Sequence, residues 1–444
     1  MSSYDVIIVG AGPAGSTSAL LLARQGFRVV MLEKSRFPRF HIGESILPQN
    51  FPLVQELGLE AELERLPHLK KYGAEFGMGD DHDTTRFNFD SALIPGSRTF
   101  NIERAHFDKM LMDAARAAGA EVREQTGVKR IVKLADRDVA VQLDTGEQLD
   151  GKYLLDASGH GTVVGRHLGL RKPVDDVRLH KVAYFNHFDG VERPPGAETG
   201  HPTIIMADEG WFWLIGLTET RTSVGFVCHP DLVKRVGVPA NRMLQWAASR
   251  CPVVRHRMRD ATGPATNEVL ADFSYTCKPN AGAGYFMVGD AGCFLDPIFS
   301  TGVTLAMKGA QQAARHVAAL LRNETSPAAA RSEYVSFING STGVFWHLIR
   351  NYYTHSFREL FLNGTGPLNV HGAIISILAG HVFPRPPFQL RWRLWLFDLC
   401  RAVNSYVPLV RRRNRFSLIA EPPQELPKIA GSGAPQHHQQ VAAA

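Results

Sequence analysis

Tyr4–Lys34 reads YDVIIVGAGPAGSTSALLLARQGFRVVMLEK, and this stretch decides the fold. An apolar run from Asp5 to Val9 meets Gly10, Gly12 and Gly15. Small and aliphatic residues continue to Gln25, and a second apolar run ends at Glu33. The pattern predicts strand, tight turn, helix and strand. The glycines differ in what they permit: one allows the turn, one admits backbone close to a pyrophosphate, one lets helix and strand pack tightly. The helix N-terminus then offers free N–H groups and a favourable dipole to phosphate. Glu33, at the end of the second strand, is placed to accept hydrogen bonds from a ribose. Ala14, among the glycines, and Lys34, beyond the acid, complete the candidate contacts of an adenine dinucleotide. The bland alternative is a glycine turn in an ordinary βαβ unit.

The whole chain is consistent with an enzyme. Its 444 residues suffice for two intimately connected domains. A formal charge of +6 is small for that length and does not imply nucleic acid. The five cysteines stand apart with no CxxC pair, which suits a reducing cytoplasm and offers no metal or disulfide framework. Met1 leads directly into the first strand, leaving no room for a signal peptide, and no apolar run reaches the roughly 18 to 20 residues of a spanning helix.

Beyond Glu33, RFPRFHIGESILPQN is a glycine-punctuated loop suited to covering the cofactor, with His41, Glu44 and Ser45 directed at it or merely solvated. KKYGAEF starts with Lys70 and Lys71; a lysine leading into a buried strand is either drawn into a cavity or left on the surface. NIERAHFDKMLMDAARAAGA predicts a helix with Phe107, Leu111 and Ala115 on one stripe and Arg104 at its start, within reach of a phosphate or flavin edge. The run Tyr153–Gly161 either returns to the parallel sheet beside the adenosine, with Asp156 and Gly159 near the ligand, or forms a strand-end turn. From Arg171 to Tyr275 the sequence is rich in strands, and Trp211 and Trp213 share one face of theirs. That pair is either core or the wall of a substrate cavity. GYFMVGDAGCFLDPIFSTGVTLAMKG then brings the chain back to the cofactor. A strand ends at Gly289 and Asp290, where a carboxylate can hold ribitol hydroxyls. Ser300, Thr301, Gly302 and Val303 open a long helix whose unpaired N–H groups face the expected ring. A fingerprint followed some 280 residues later by this GD return points to FAD rather than a nicotinamide cofactor.

The expected architecture is α/β. Residues 1–170 and 276–330 form a Rossmann-type FAD-binding domain, and 171–275 an interleaved β-rich sheet on the substrate side. Residues 331–420 form a helical C-terminal region and 421–444 a disordered tail. Within 385–416 many arginines stand against the lone Asp398, interleaved with Phe388, Trp392, Trp395 and Phe397. This segment could lie on a membrane, receive an acidic carrier protein, or pack on the core.

Over roughly residues 4–360 the chain resembles the flavin-dependent halogenases, within the aromatic hydroxylase-like FAD enzymes that share the glutathione reductase type of cofactor domain. Phe294, Pro297, Ser300 and Gly302 match their FxxPxxSxG motif, and HIGESILP and KKYGAEF look like segments of the phenol and pyrrole halogenases. Two positions depart. The tryptophan motif WxWxIP ends here in Gly216, and Phe299 stands where tryptophan halogenases carry a glutamate. The second departure points to the phenol or pyrrole subgroup. The resemblance implies reduced FAD from a separate flavin reductase, and oxygen. It implies a chloride or bromide held at Ser300, Thr301 and Gly302, a substrate cavity walled by Trp211, Trp213, Phe294 and Pro297, and Lys71 as the residue that passes hypohalous acid to an electron-rich aromatic. That aromatic is a phenol or pyrrole, free or on an acyl or peptidyl carrier protein. Two rivals use the same fold: an FAD monooxygenase or reductase acting directly on an apolar substrate, and a binding module with little activity.

Overall fold

The computed structural model describes residues 4–94, 98–421 and 424; the expected tail, 421–444, lies almost wholly outside them. Val6, Ile7 and Ile8 are fully buried, so both faces of the strand Tyr4–Val9 are covered. Such a two-sided apolar strand belongs at the centre of a parallel sheet. It pairs with Val29–Leu32 on one side and Gln148–Asp156 on the other, with Val6 opposite Val29 and Tyr153. Tyr285–Met287 extends the parallel order beside Gln148–Asp156, and Glu121–Arg123 closes the far edge. The helices Pro13–Ala23, Arg104–Ala117 and Gly302–Leu321 share one hydrophobic core on this sheet, through Leu20, Phe107, Leu111, Ala115, Met307 and Ala314.

A seven-stranded sheet carries the substrate side. Its order is Glu268–Phe273, Lys181–Asp189, Arg221–Cys228, Gly210–Gly216, Thr203–Met206, Gly73–Met78 and Thr85–Asn88. Two of these strands come from residues 73–88, so the sheet is not confined to 171–275. Gly73–Met78 lies parallel to Thr203–Met206, with Phe76 opposite Ile204. The C-terminal helices Pro327–Tyr352, His355–Asn363 and Val370–Leu378 complete its core. Phe361 stacks on Phe87 at 4.4 Å and meets Phe76 edge-on at 4.9 Å. A small ribbon, His68–Lys71 with Thr99–Ile102, lies between the two sheets in sequence and carries Lys71.

Candidate active site

The glycine turn is shaped for a ligand at one position and for packing at two others. Gly10 has φ +98°, and a Cβ there would come within 2.4 Å of Ala157 O; a Cβ on Gly15 would stand 1.8 Å from Gly10 O. Both are glycine because backbone passes against backbone. Gly12 differs, since a Cβ there would meet only the Arg39 guanidinium, at 3.6 Å. Arg39 was not singled out by its sequence. Its Nη2 lies 3.4 Å from Asp108, and its buried Nη1 has no partner among the described residues. A guanidinium with one unpartnered N–H group over the roomy glycine of the turn fits the pyrophosphate of FAD. Glu33 accepts from the N–H groups of Ala11 and Ser35, both at 2.9 Å, which holds the carboxylate in the crook of the turn. Ala14 is buried beside it, and Lys34 is exposed at the rim.

Three expected cofactor contacts have partners within the protein. Asp156 is fully buried and accepts from Ser158 N, Ser158 Oγ and Val164 N, which builds the strand-end turn. Glu44 is buried against His187, 2.8 Å away; burial opposes charge on that imidazole, but Glu44 outweighs it and holds the pKa above the usual value. Ser45 accepts from Lys71. Sequence cannot show the pairings of Ser45 and Glu44 because their partners lie 26 and 143 residues away. The remaining cofactor candidates are close together. A Cβ on Gly289 would meet Ala306 at 3.1 Å and Ala14 at 3.5 Å, so the GD return lies between the fingerprint helix and the long helix. Asp290 follows it, its carboxyl pushed up to about 6 by burial against the opposing charge of Arg104. Arg104 is locked by two bonds to Asp108, 2.6 and 2.8 Å, and one to Ile42 O.

Lys70 and Lys71 occupy alternate faces of one strand, and only Lys71 points inward, with 3 % exposure. Its Nζ donates to Ser45 Oγ at 2.9 Å and Ile46 O at 3.2 Å, and sits 5.5 Å from the centre of the Phe89 ring. Among the described residues no carboxylate pairs with it, and burial lowers its pKa to about 7. A primary amine that is half neutral near pH 7 is a nucleophile as well as a donor.

The motif loop is capped at its start by Asp296, which accepts from Ile298 N, and Ser300 takes φ +55° before the long helix. Thr301 and Val303 are buried, whereas a Cβ on Gly302 would meet nothing within 4 Å, so the helix N-terminus opens onto space. Phe299 turns away into the C-terminal helices, 5.6 Å from Tyr352, and Pro297 stays half-buried. Behind the loop runs a buried chain of contacts that sequence did not disclose. Tyr353 Oη donates to Asp296 at 2.5 Å, Trp211 Nε1 donates to Tyr353 Oη at 3.1 Å, and Lys181 Nζ lies 4.1 Å over the Tyr353 ring. Trp211 and Trp213 are both buried, 5.9 Å apart, and Trp213 donates to Ser223. Phe294 sits with His160 at 4.7 Å and Tyr275 at 6.4 Å, on the three-stranded sheet, and packs against the core that holds the tryptophans. Gly216 is glycine for a packing reason: a Cβ would stand 2.5 Å from Arg193 Nη1 and 2.9 Å from Leu69 Cδ1. Arg193 and Leu69 thus fill the space at the end of the tryptophan strand.

Comparison with known proteins agrees with this geometry. Residues 3–332 match the family model described as FAD binding domain. The chain is 33 % identical over 341 residues to a tryptophan 2-halogenase of Chondromyces crocatus, covering 75 % of this chain and 64 % of that protein, just under two thirds of its length. It is 33 % identical to a 1H-pyrrole-2-carbonyl-[peptidyl-carrier protein] brominase of Pseudoalteromonas luteoviolacea, covering 70 % of this chain and 76 % of that one. Among solved structures, the flavin-dependent brominase Bmp2 superposes with a TM-score of 0.78 at 28 % identity, over 90 % of this chain and 100 % of the other. The myxobacterial chondrochloren halogenase gives 0.72 at 27 % identity, over 90 % and 98 %. With an FAD-shaped glycine turn, a buried lysine and the motif loop in one fold, this chain belongs to the flavin-dependent halogenase family of FAD-binding enzymes.

Proposed function

We propose that the protein halogenates an electron-rich aromatic ring, a phenol or a pyrrole, with Lys71 delivering the halogen. The observation that carries this reading is the buried, carboxylate-free amine of Lys71 beside an exposed Lys70. Bound FAD, reduced by a separate flavin reductase and reoxidised by oxygen, supplies the oxidising equivalent. Gly12, Arg39, Glu33 and Asp290 hold its pyrophosphate and sugar-alcohol portions. The N–H groups of Thr301 and Gly302 hold chloride or bromide. A helix dipole provides only about 0.3 to 1 kcal/mol, and millimolar affinity needs about 4 kcal/mol, so direct hydrogen bonds and a dry surround must make up the difference. Hypohalous acid reaching Lys71 is held by the ammonium or captured by the neutral amine, both forms being populated around a pKa of about 7. The relatives named as pyrrolyl-carrier-protein chlorinase and brominase favour a substrate carried on a peptidyl carrier protein. Dependence on reduced flavin favours a cytoplasmic setting, and no helix among the described residues is long and apolar enough to cross a membrane.

In a monooxygenase, oxygen passes directly from the flavin to substrate, so a remote amine has no step to perform. The test is product mass spectrometry with reduced FAD, oxygen, bromide and a phenol and pyrrole panel. Lys71→Ala should keep FAD binding and flavin reoxidation but lose brominated product, while Lys70→Ala loses little. Halogenation by Lys71→Ala near the wild-type rate, or hydroxylated product alone from wild type, would overturn the assignment.

A further inference from the structure

An anion that leaves water for the N–H groups of Thr301 and Gly302 must replace its hydration, and the dipole of their helix supplies only a fraction of what even millimolar affinity needs. Charge from elsewhere has to contribute. Behind the loop lie two further buried cations, Lys181 and Arg358, with 7 % and 8 % exposure. Among the described residues neither forms a salt bridge to a carboxylate. Arg358 donates to the carbonyls of Tyr352 and Ala207, at 3.1 and 3.2 Å, and lies 5.5 Å from the centre of the Tyr352 ring, which meets Phe299 of the loop edge-on. Lys181 Nζ lies 4.1 Å over the Tyr353 ring, and the hydroxyl of that ring donates to Asp296 at 2.5 Å. The other oxygen of Asp296 accepts from Ile298 N at 3.1 Å and so caps the turn that leads to Ser300 and Thr301. Cation, ring, carboxylate and motif loop form one connected line.

Resting on the halogenase reading above, we infer that Lys181 is a positioning residue for the halide: its buried ammonium, linked to the motif loop through Tyr353 and Asp296, leaves a net positive charge behind Thr301 and Gly302 that strengthens halide binding. The charges around it can be counted. Asp296 is the carboxylate of the cluster. Asp176, the next acid to act on Lys181, is already paired with Arg178 at 2.7 Å, and the Cys228 thiol is pushed up to about 12 by burial, so it stays neutral. Lys181 and Arg358 against Asp296 are two cations against one anion. The surroundings let that excess act at a distance. Leu295, Ile298 and Phe299 are buried in the same apolar core as Tyr352 and Phe361, and charge in such a setting is screened far less than at the surface. Burial lowers the Lys181 pKa, and Asp296 is the foremost group opposing it. Burial likewise raises the Asp296 pKa, against the Tyr353 hydroxyl and Lys181. Each of the two thus favours the charged form of the other.

Chloride NMR line broadening on the FAD-loaded protein reads halide binding directly, and the bromide dependence of product formation reads it in turnover. Lys181→Met should weaken chloride binding and raise the half-saturating bromide concentration on the order of ten-fold, the size of effect of a unit charge at roughly 10 Å and an effective dielectric near 20. The rate at saturating bromide, FAD affinity and flavin reoxidation should stay near wild type. Lys181→Arg keeps the charge and should bind halide as wild type does. The double variant Lys181→Met with Asp296→Asn removes one charge of each sign while keeping a side chain that can cap the turn, so halide binding should return toward wild type. A merely structural role would give the opposite, since the second substitution would loosen the loop further. Unchanged halide binding in Lys181→Met, or a double variant as weak as Lys181→Met or weaker, overturns the inference while Lys71→Ala still tests the halogenase reading separately. A wild type with no saturable halide signal removes both.

Discussion

Gly12 and Gly15 stand three residues apart and are glycine for opposite reasons, which makes them a matched test of where the cofactor lies. An alanine Cβ at 15 meets backbone at 1.8 Å, whereas at 12 it has ordinary clearance from Arg39. Gly15→Ala should therefore lower the unfolding midpoint, while Gly12→Ala should unfold like wild type and bind FAD at least about ten-fold more weakly, about 1.4 kcal/mol. Calorimetry of unfolding and flavin titration separate the two. Lys71 gives a second test. Each pKa unit of displacement is about 1.4 kcal/mol, and lowering from 10.5 to about 7 reflects the strain of an unpaired buried ammonium. The unfolded chain holds this proton up to its normal pKa and the folded chain releases it near 7. The strain is thus full below pH 7 and fades as pH rises toward 10.5. Lys71→Met should stabilise the protein by roughly 2 to 4 kcal/mol at pH 6, after loss of two hydrogen bonds, and by progressively less at pH 8 and 9 in urea denaturation. The sequence showed two adjacent lysines and no means of choosing between them. Which one is buried depends on the pairing of Lys71 with Thr99 and on the press of Gly200, contacts made 28 and 129 residues away. Arg39 escaped notice for the same kind of reason: its neighbours Gly12 and Asp108 come from the glycine turn and from the helix Arg104–Ala117.

Among the elements, the motif loop shows how local sequence and distant packing divide the work. Its Asp-Pro start and the glycine opening the helix are legible, because caps and helix starts depend on near neighbours. The clamp behind it was not legible, since Tyr353 reaches Asp296 across 57 residues and Trp211 across 142. Trp211 is therefore both core and a tie to the loop, an answer that the strand's alternation alone could not supply. Tyr353→Phe removes the shared hydroxyl and leaves Asp296 and the Trp211 N–H without it. We expect a loss of about 1 to 3 kcal/mol in stability, the range for stranding buried polar groups, and weaker halide dependence of product formation, read as a higher bromide concentration at half-maximal rate. A wild-type bromide response in that variant would mean that the clamp supports the fold alone. The glycine fingerprint sheet was the easiest element to read and the seven-stranded sheet the hardest, because Gly73–Met78 finds its parallel partner beyond residue 200.

For the molecule as a whole, the segment 385–416 divides into a docked and a free face. Leu390, Phe397 and Phe416 are buried, and Glu359 gathers Arg412, Asn404 and the backbone of Arg413. Phe388, Trp395, Leu399, Tyr406 and Leu409 remain exposed, as do Arg411 and Arg415. Both the packing and the partner reading of this segment thus have residues behind them. An acidic carrier protein should be retained at low salt and released near 1 M, where screening shortens from about 10 Å to about 3 Å. Arg411→Glu with Arg415→Glu should abolish retention in a pull-down, and retention on anionic liposomes instead would replace the carrier with a membrane. The parallel order of the cofactor sheet has a different consequence, for the chain as it leaves the ribosome. The fingerprint emerges first, yet Tyr4–Val9 needs Gln148–Asp156 beside it, which in turn needs Tyr285–Met287. At roughly 5 to 20 residues per second, the nascent polypeptide waits tens of seconds with this apolar strand unsheltered. Chaperone holding during that interval, rather than early flavin capture, should govern how much active enzyme a cell obtains.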